Sequence, residues 1–246
     1  MGTIVACFES MFHHRAAKLL ILLSLVAGAA QHPPVKIVLV GDSTVNDEGG
    51  WGPGFKASFG PEVEIVNLAK NGRSSKSFRD EGLWVPALAA KPNFILIQFG
   101  HNDSPGKGPD RETDAKTSYH DNLARYVDEA RAIGAEPVLV TSIVRRNFAP
   151  DGKILVDSLA SYVEEVRAIA AARKVPLIDL YTLTREQAEK LGPAGCAEID
   201  ALDKDGKPDH THLGPKGRQE IGALAAREFV RLESSIRPYA TGPGRP

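Results

Sequence analysis

From residue 35 onward the chain alternates short apolar runs with longer stretches in which apolar residues return every three or four positions. The runs at 36–40, 63–67, 94–98, 138–141 and 177–179 are rich in β-branched residues and lack a clean polar alternation. Strands covered on both faces read this way, because neither face needs to meet water. The longer stretches read as helices. Over 117–133, Leu123, Tyr126, Val127, Ala130 and Ile133 fall on one face; over 154–173, Leu155, Leu159, Tyr162, Val163, Val166 and Ile169 do the same. A last helix is predicted over 215–232, with Pro215 in the first turn, where a missing N–H costs nothing. Strand followed by helix, again and again, predicts an α/β fold: a three-layer α/β/α sandwich with a parallel five-stranded sheet.

The pattern shows no internal repeat and no linker, so one domain is expected over 31–235. Residues 104–116 form a polar stretch with Gly and Pro, read as the rim of a site rather than a connection between domains. Residues 236–246, rich in Pro and Gly, are expected to be a disordered tail. The first thirty residues have the layout of an export signal. His13, His14, Arg15 and Lys18 precede the apolar stretch 19–26, and Ala27-Gly28-Ala29-Ala30 supplies small residues for cleavage near Ala29 or Ala30. That stretch is too short to cross the roughly 30 Å of a bilayer as a helix, so no stable membrane insertion is expected. The mature protein is expected to be secreted or periplasmic. It then retains Cys196 alone, which has no partner for an internal disulfide and is read as a small buried or half-buried loop residue. The formal net charge of -1 provides no concentrated basic surface, which argues against a nucleic-acid partner.

Chemistry gathers where the strands end. Gly41-Asp42-Ser43-Thr44 follows the first run, Asn71-Gly72 the second and Gly100-His101-Asn102-Asp103 the third; Asp209-His210-Thr211-His212 comes far downstream. Open α/β sheets bind ligands outside the carboxyl ends of their strands. Acyl transfer needs a nucleophile, a base, a group orienting that base and donors for the oxyanion. Ser43 is the nucleophile candidate, against the plainer reading that Asp42 and Ser43 cap a following helix. His212 is the candidate base and Asp209, three residues earlier, its orienting acid; His210 competes for the base role. The N–H groups of Ser43 and Gly72 and the amide of Asn102 are the candidate oxyanion donors. His101 and Asp103 shape their loop. No His, Cys or carboxylate cluster has metal-ligand spacing, and the chemistry calls for no cofactor.

In that order the four blocks resemble the SGNH, or GDSL-like, hydrolase superfamily, and the resemblance spans nearly the whole mature chain. It implies a flavodoxin-like sheet, Ser43 as nucleophile, Asp209 and His212 as the rest of a triad, and Gly72 and Asn102 as oxyanion donors. The longer stretches Asn71-Gly72-Arg73-Ser74-Ser75-Lys76-Ser77-Phe78-Arg79-Asp80-Glu81-Gly82-Leu83-Trp84, Ile97-Gln98-Phe99-Gly100-His101-Asn102-Asp103 and Val144-Arg145-Arg146-Asn147-Phe148 look like the rhamnogalacturonan acetylesterase family. That likeness implies an acetylated polysaccharide or oligosaccharide as substrate and hydrolysis of O-acetyl esters on pectic polysaccharide. Thr44 in place of Leu after the nucleophile fits this branch better than the lipase-like one. The lone mature cysteine departs from the disulfide pairing of some secreted relatives.

Substrate contacts are expected from Trp84, Arg73 and Arg145. Trp51 and Trp84 either stack on sugar rings or pack inside; Arg73, Arg79, Arg145 and Arg146 either meet uronate carboxylates or form ordinary ion pairs. Gln98, at a strand end, is read as part of a buried hydrogen-bond network. The competing functions are another esterase of the superfamily (on xylan, lysophospholipid or thioester), or a non-catalytic sugar-binding module. A nucleotide binder is disfavoured, because no Gly-rich phosphate cradle follows the first strand.

Overall fold

The computed structural model describes residues 33–242, and the export signal expected at 1–30 and the final residues 243–246 lie outside them. Five parallel strands, β1 (Val35–Gly41), β2 (Val63–Asn67), β3 (Phe94–Gln98), β4 (Glu136–Val140) and β5 (Leu177–Ile178), form one sheet in the order β2-β1-β3-β4-β5. The five-stranded parallel sheet expected from the apolar runs is the one observed. Alternate residues of the strands feed two separate cores. Ile37, Leu39, Phe94, Leu96, Val138 and Val140 pack with Trp51, Phe55 and Phe229; Val38, Val40, Ile95, Ile97 and Leu139 pack with Leu123, Tyr126, Val166 and Ile169. The runs therefore lack alternation because both faces are covered by helices.

On the first face lie α1 (Gly52–Lys56) and α7 (Pro215–Leu232), held by the Phe55, Phe59, Phe94 and Phe229 rings with centroids 5.1–6.4 Å apart. The opposite face carries α3 (Trp84–Ala89), α4 (His120–Ala132) and α5 (Leu159–Arg173), with the single turn α2 (Ser77–Asp80) ahead of them. Helix α7 has the predicted ends. The helix predicted from 117 is preceded by a π-helical turn, Ala115–Tyr119, capped by the Asp114 carboxylate on the N–H groups of Lys116 and Thr117. Helix α5 starts at Leu159, not at 154. Ile154 instead pairs with Phe148 in an antiparallel bridge, and Leu155 faces water.

Three features depart from the expected pattern. Residues 192–196 belong to α6 (Leu180–Ala197), which is kinked at Gly192; Cys196 is buried there, and burial pushes its thiol up to about 11. A small antiparallel ribbon, β6 (Asp200–Leu202) with β7 (Pro208–Leu213), carries the segment read as a turn before α7. Much of the expected disordered tail is ordered. Residues Ser234–Tyr239 form a 3-10 turn with Ile236 fully buried, Ala240 bridges Phe59, and the Tyr239 hydroxyl donates to the Pro33 carbonyl at 2.7 Å. Pro238 and Gly242 mark the end of a helix here rather than loss of order, because an apolar residue between them and α7 finds a core to enter.

Candidate active site

Strand β1 pairs with β2 on one side and β3 on the other, so the connections leaving β1 and β3 diverge to opposite faces and open a crevice above the carboxyl ends. The crevice is a cleft of about 470 Å³ lined by Ser43, Glu48, Gly49, Asn71, Gly72, Asn102, Ala201, Leu202, Asp209 and His212. The blocks after β1, β2 and β3 each contribute, and the β6–β7 ribbon closes the fourth side.

Gly41, the last residue of β1, has no room for a side chain: a Cβ there would come within 2.5 Å of the Gln98 carbonyl and 2.6 Å of the Val45 side chain. The next residue, Asp42, caps no helix. Its Oδ1 accepts from the N–H and hydroxyl of Thr44 at 2.8 and 2.7 Å, forming a local turn that lifts Ser43 above the strand end. Gln98 closes the network beneath, donating to the Thr44 hydroxyl and accepting from the Trp51 indole, as expected of it. Asp42 is fully buried, its Oδ2 has no partner among the described residues, and burial raises its pKa against the Thr44 hydrogen bonds.

Ser43 Oγ lies 2.8 Å from His212 Nε2, and His212 Nδ1 lies 2.9 Å from Asp209 Oδ2. The other carboxylate oxygen, Oδ1, accepts from the N–H groups of Thr211 and His212, both at 2.9 Å. Burial pushes the Asp209 pKa up, but the hydrogen bonds from His212 and Thr211 outweigh it and leave the group below the ordinary carboxylate range. A charged Asp209 selects the tautomer with hydrogen on Nδ1, so Nε2 is free to accept the serine proton. His210, the competing base, adopts a left-handed backbone (φ 65°) and turns away to Asp200, 3.1 Å from its Nδ1.

Donors face the same cleft. The N–H groups of Ser43 and Gly72 donate to no protein group among the described residues. Asn102 spends one amide hydrogen on the Arg73 carbonyl at 3.2 Å, leaving the other unused. Gly72 was expected to be glycine for close approach. Its φ of 74° is the stronger reason, since a Cβ there would meet only Arg111 Nη1, at 3.6 Å.

The expected substrate contacts change. Trp84 is buried, its indole donating to Glu129 at 2.6 Å and its ring edge-on to Tyr126; Trp51 is fully buried. Neither reaches a sugar. Arg145 pairs with Asp157 at 2.6 Å, and Arg79 with Glu129 at 2.7 Å above the Tyr126 ring. Arg73 stands beside the cleft, but its guanidinium closes on Glu81 and the Asn71 carbonyl. Arg146 is buried against Asp200 and donates from Nη2 to the His212 carbonyl at 2.9 Å, while its N–H donates to the His210 carbonyl at 2.8 Å. It braces the strand that carries His212.

Other residues at the site escape a reading of the sequence. Asn46 and Glu48 hold the Asn71 amide from two sides, and Asn46 also accepts from the N–H groups of Glu48 and Gly49. Gly49 passes under the imidazole, where a Cβ would stand 3.3 Å from His212 Cδ2. Asn-Asp-Glu-Gly-Gly looks like any exposed turn, and nothing in its composition marks it. His101 and Asp103 do shape their loop. His101 is buried with Nε2 3.1 Å from the Ile143 carbonyl, and burial together with the nearby Arg145 charge keeps it neutral.

Fold and cleft together define a hydrolase of carboxylic esters. The chain belongs to the GDSL-like Lipase/Acylhydrolase family, whose sequence model matches residues 24–219. It is 35% identical over 224 residues to the rhamnogalacturonan acetylesterase RhgT of Bacillus subtilis (strain 168), covering 84% of this chain and 94% of that protein. A probable rhamnogalacturonan acetylesterase of the same organism, YesY, is 32% identical over 205 residues, covering 80% and 93%. Among solved structures, a catalytic mutant of the acetylxylan esterase Axe2 from Geobacillus stearothermophilus shares the fold with a TM-score of 0.61 at 18% identity, covering 82% of this chain and 94% of that one. The Bacillus subtilis protein YxiM superposes with a TM-score of 0.67 at 23% identity over 80% of this chain and 56% of that longer chain.

Proposed function

We propose that the protein is an exported serine carbohydrate esterase that removes O-acetyl groups from pectic polysaccharide. The carrying observation is the continuous hydrogen-bonded line from Ser43 Oγ through His212 to Asp209 inside the cleft. Ser43 Oγ attacks the acetyl carbonyl while His212 Nε2 takes its proton. The oxyanion receives the N–H groups of Ser43 and Gly72 and the free amide hydrogen of Asn102. Collapse of the tetrahedral intermediate breaks the bond to the sugar oxygen, which leaves with the proton from His212. Water then gives its proton to His212 and attacks the acetyl-Ser43 ester, releasing acetate and restoring the hydroxyl.

Acetyl fits the cleft better than a long acyl chain does. Ala201 and Leu202 are the apolar side chains in its lining, and the rest is polar, charged or glycine. An acyl chain of many carbons would lie against those polar groups and lose the burial that drives its binding. A pectic substrate is the choice supported by the similarity to the rhamnogalacturonan acetylesterase RhgT and the probable one, YesY. Export rests on the character of the first thirty residues, and sequencing the amino terminus of the protein recovered outside the cytoplasm checks it.

The test is release of acetate from acetylated rhamnogalacturonan, acetylated xylan and a long-acyl nitrophenyl ester. Turnover on the first, with little on the last, is expected. Ser43→Ala should abolish release and labelling by a fluorophosphonate while keeping the circular dichroism of the wild type. Wild-type turnover by that variant would remove Ser43 from the mechanism.

A further inference from the structure

The arginines expected to meet acidic sugars are each engaged by a carboxylate of the protein, which leaves the question of whether the cleft has a cation at its edge. Arg111 stands next to Gly72, the one side chain within 4 Å of where a Cβ on that glycine would lie. Its Nε donates to the Lys107 carbonyl at 2.9 Å, which fixes the plane of the guanidinium. Among the described residues Nη1 and Nη2 donate to nothing, and no carboxylate lies within ion-pair distance of them. Arg73, on the same side of the cleft, has Glu81 at 2.8 Å; Arg111 has no such partner.

The segment bearing Arg111 is built rather than slack. The Arg111 and Glu112 N–H groups both return to the Gly108 carbonyl, and the Glu112 carboxylate accepts from the Gly108 N–H at 2.7 Å. Lys76 Nζ reaches the Pro109 carbonyl at 2.8 Å, tying the segment to the block that follows Gly72. At its far end Thr113 is held to Asp103 by backbone and by side chain. An unpaired guanidinium on a braced loop has already lost much of the freedom that binding an anion would otherwise cost.

We propose that Arg111 binds a uronate carboxylate of the acetylated sugar chain and thereby selects acidic over neutral polysaccharides. This rests on the reading of the cleft as a carbohydrate esterase site. Glu48 and Asp209 put negative charge in the lining and Arg111 stands at its edge next to Gly72, so a uronate carboxylate is repelled from those walls and attracted beside Gly72. The two free nitrogens match the two oxygens of a carboxylate, which a lysine ammonium cannot do.

The experiment has a kinetic and a binding arm, with Arg111→Gln and Arg111→Lys. In the kinetic arm, the loss of kcat/KM by Arg111→Gln on an acetylated rhamnogalacturonan oligosaccharide should exceed its loss on 4-nitrophenyl acetate by about tenfold, mostly in KM. Arg111→Lys should recover part of that loss. In the binding arm, calorimetry compares the deacetylated oligosaccharide with its carboxyl-reduced counterpart. The wild type should bind the acidic form about tenfold more tightly, a preference that Arg111→Gln lacks. Equal affinity of the wild type for the two forms would overturn the proposal, as would an equal kinetic loss on both esters. A wild type that prefers the acidic form yet hydrolyses no acetate ester would overturn the esterase reading and leave the carboxylate site standing.

Discussion

Asn102 shows how a single side chain is prepared for a task. Its amide has two N–H groups; one is held by the Arg73 carbonyl, so the orientation of the other is set before any substrate arrives. A donor oriented in advance loses no freedom when negative charge develops opposite it. Asn102→Ala should therefore lower kcat by roughly 10²–10³, with a much smaller change in KM, in steady-state kinetics on an acetyl ester. Equal changes in kcat and KM would place Asn102 in ground-state binding instead. At this scale the sequence foretold which side chains meet: Ser43, His212 and Asp209 lie on one hydrogen-bonded line, and Asn102 faces the same cleft. It was misleading where a side chain has two uses. Trp84 has an apolar face for sugars and for cores alike, and the core took it.

The β6–β7 ribbon decides where His212 points. Strand β7 is polar, with Asp209, His210, Thr211 and His212 in succession, so no apolar period announces it. Its position comes from behind, through Arg146, which joins Asp200 on β6 to the carbonyls of His210 and His212 on β7. Removing the guanidinium leaves the fully buried Asp200 carboxylate with only half-exposed His210 as partner. Arg146→Ala should cost about 3–5 kcal/mol in urea unfolding, as breaking a buried ion pair does. Activity should fall along with it, because the imidazole loses its brace. A variant with wild-type stability would show that the pair is dispensable. Helix α6 was equally hidden from the sequence. Gly192 and Pro193 read as a loop, yet they only kink the helix, since the residues on either side remain helical.

Across the whole molecule, Asp103 joins segments distant in sequence that meet on one side of the cleft. One carboxylate accepts from the Ser75 N–H and hydroxyl and from the Thr113 hydroxyl, so it ties the block after β2 to the loop carrying Arg111. Burial raises its pKa from 3.8 to about 7, against the hydrogen bonds from Ser75 and Thr113. Between those two values the folded protein holds a proton that the unfolded chain has released. The contribution of Asp103 to stability is thus largest in acid and declines as pH rises from about 4 to about 7. Unfolding free energies measured at intervals over that window should show this slope, and Asp103→Asn should flatten it. An unchanged slope in the variant would assign the dependence to other groups.

The five parallel strands, the helices α4, α5 and α7 and the polar clusters that gather in the cleft were legible in the chain itself, because burial on two faces and the chemistry of a hydroxyl, an imidazole and a carboxylate leave local signatures. Which strand lies beside which, and hence that the ends of β1, β2 and β3 meet the ribbon in one cleft, depended on packing between distant segments. So did the fate of the arginines. Charge along a sequence says that a guanidinium exists; whether it is spent on Glu81, Asp157 or Asp200, or left unpaired beside Gly72, is settled only when the folded chain brings its neighbours within hydrogen-bonding distance.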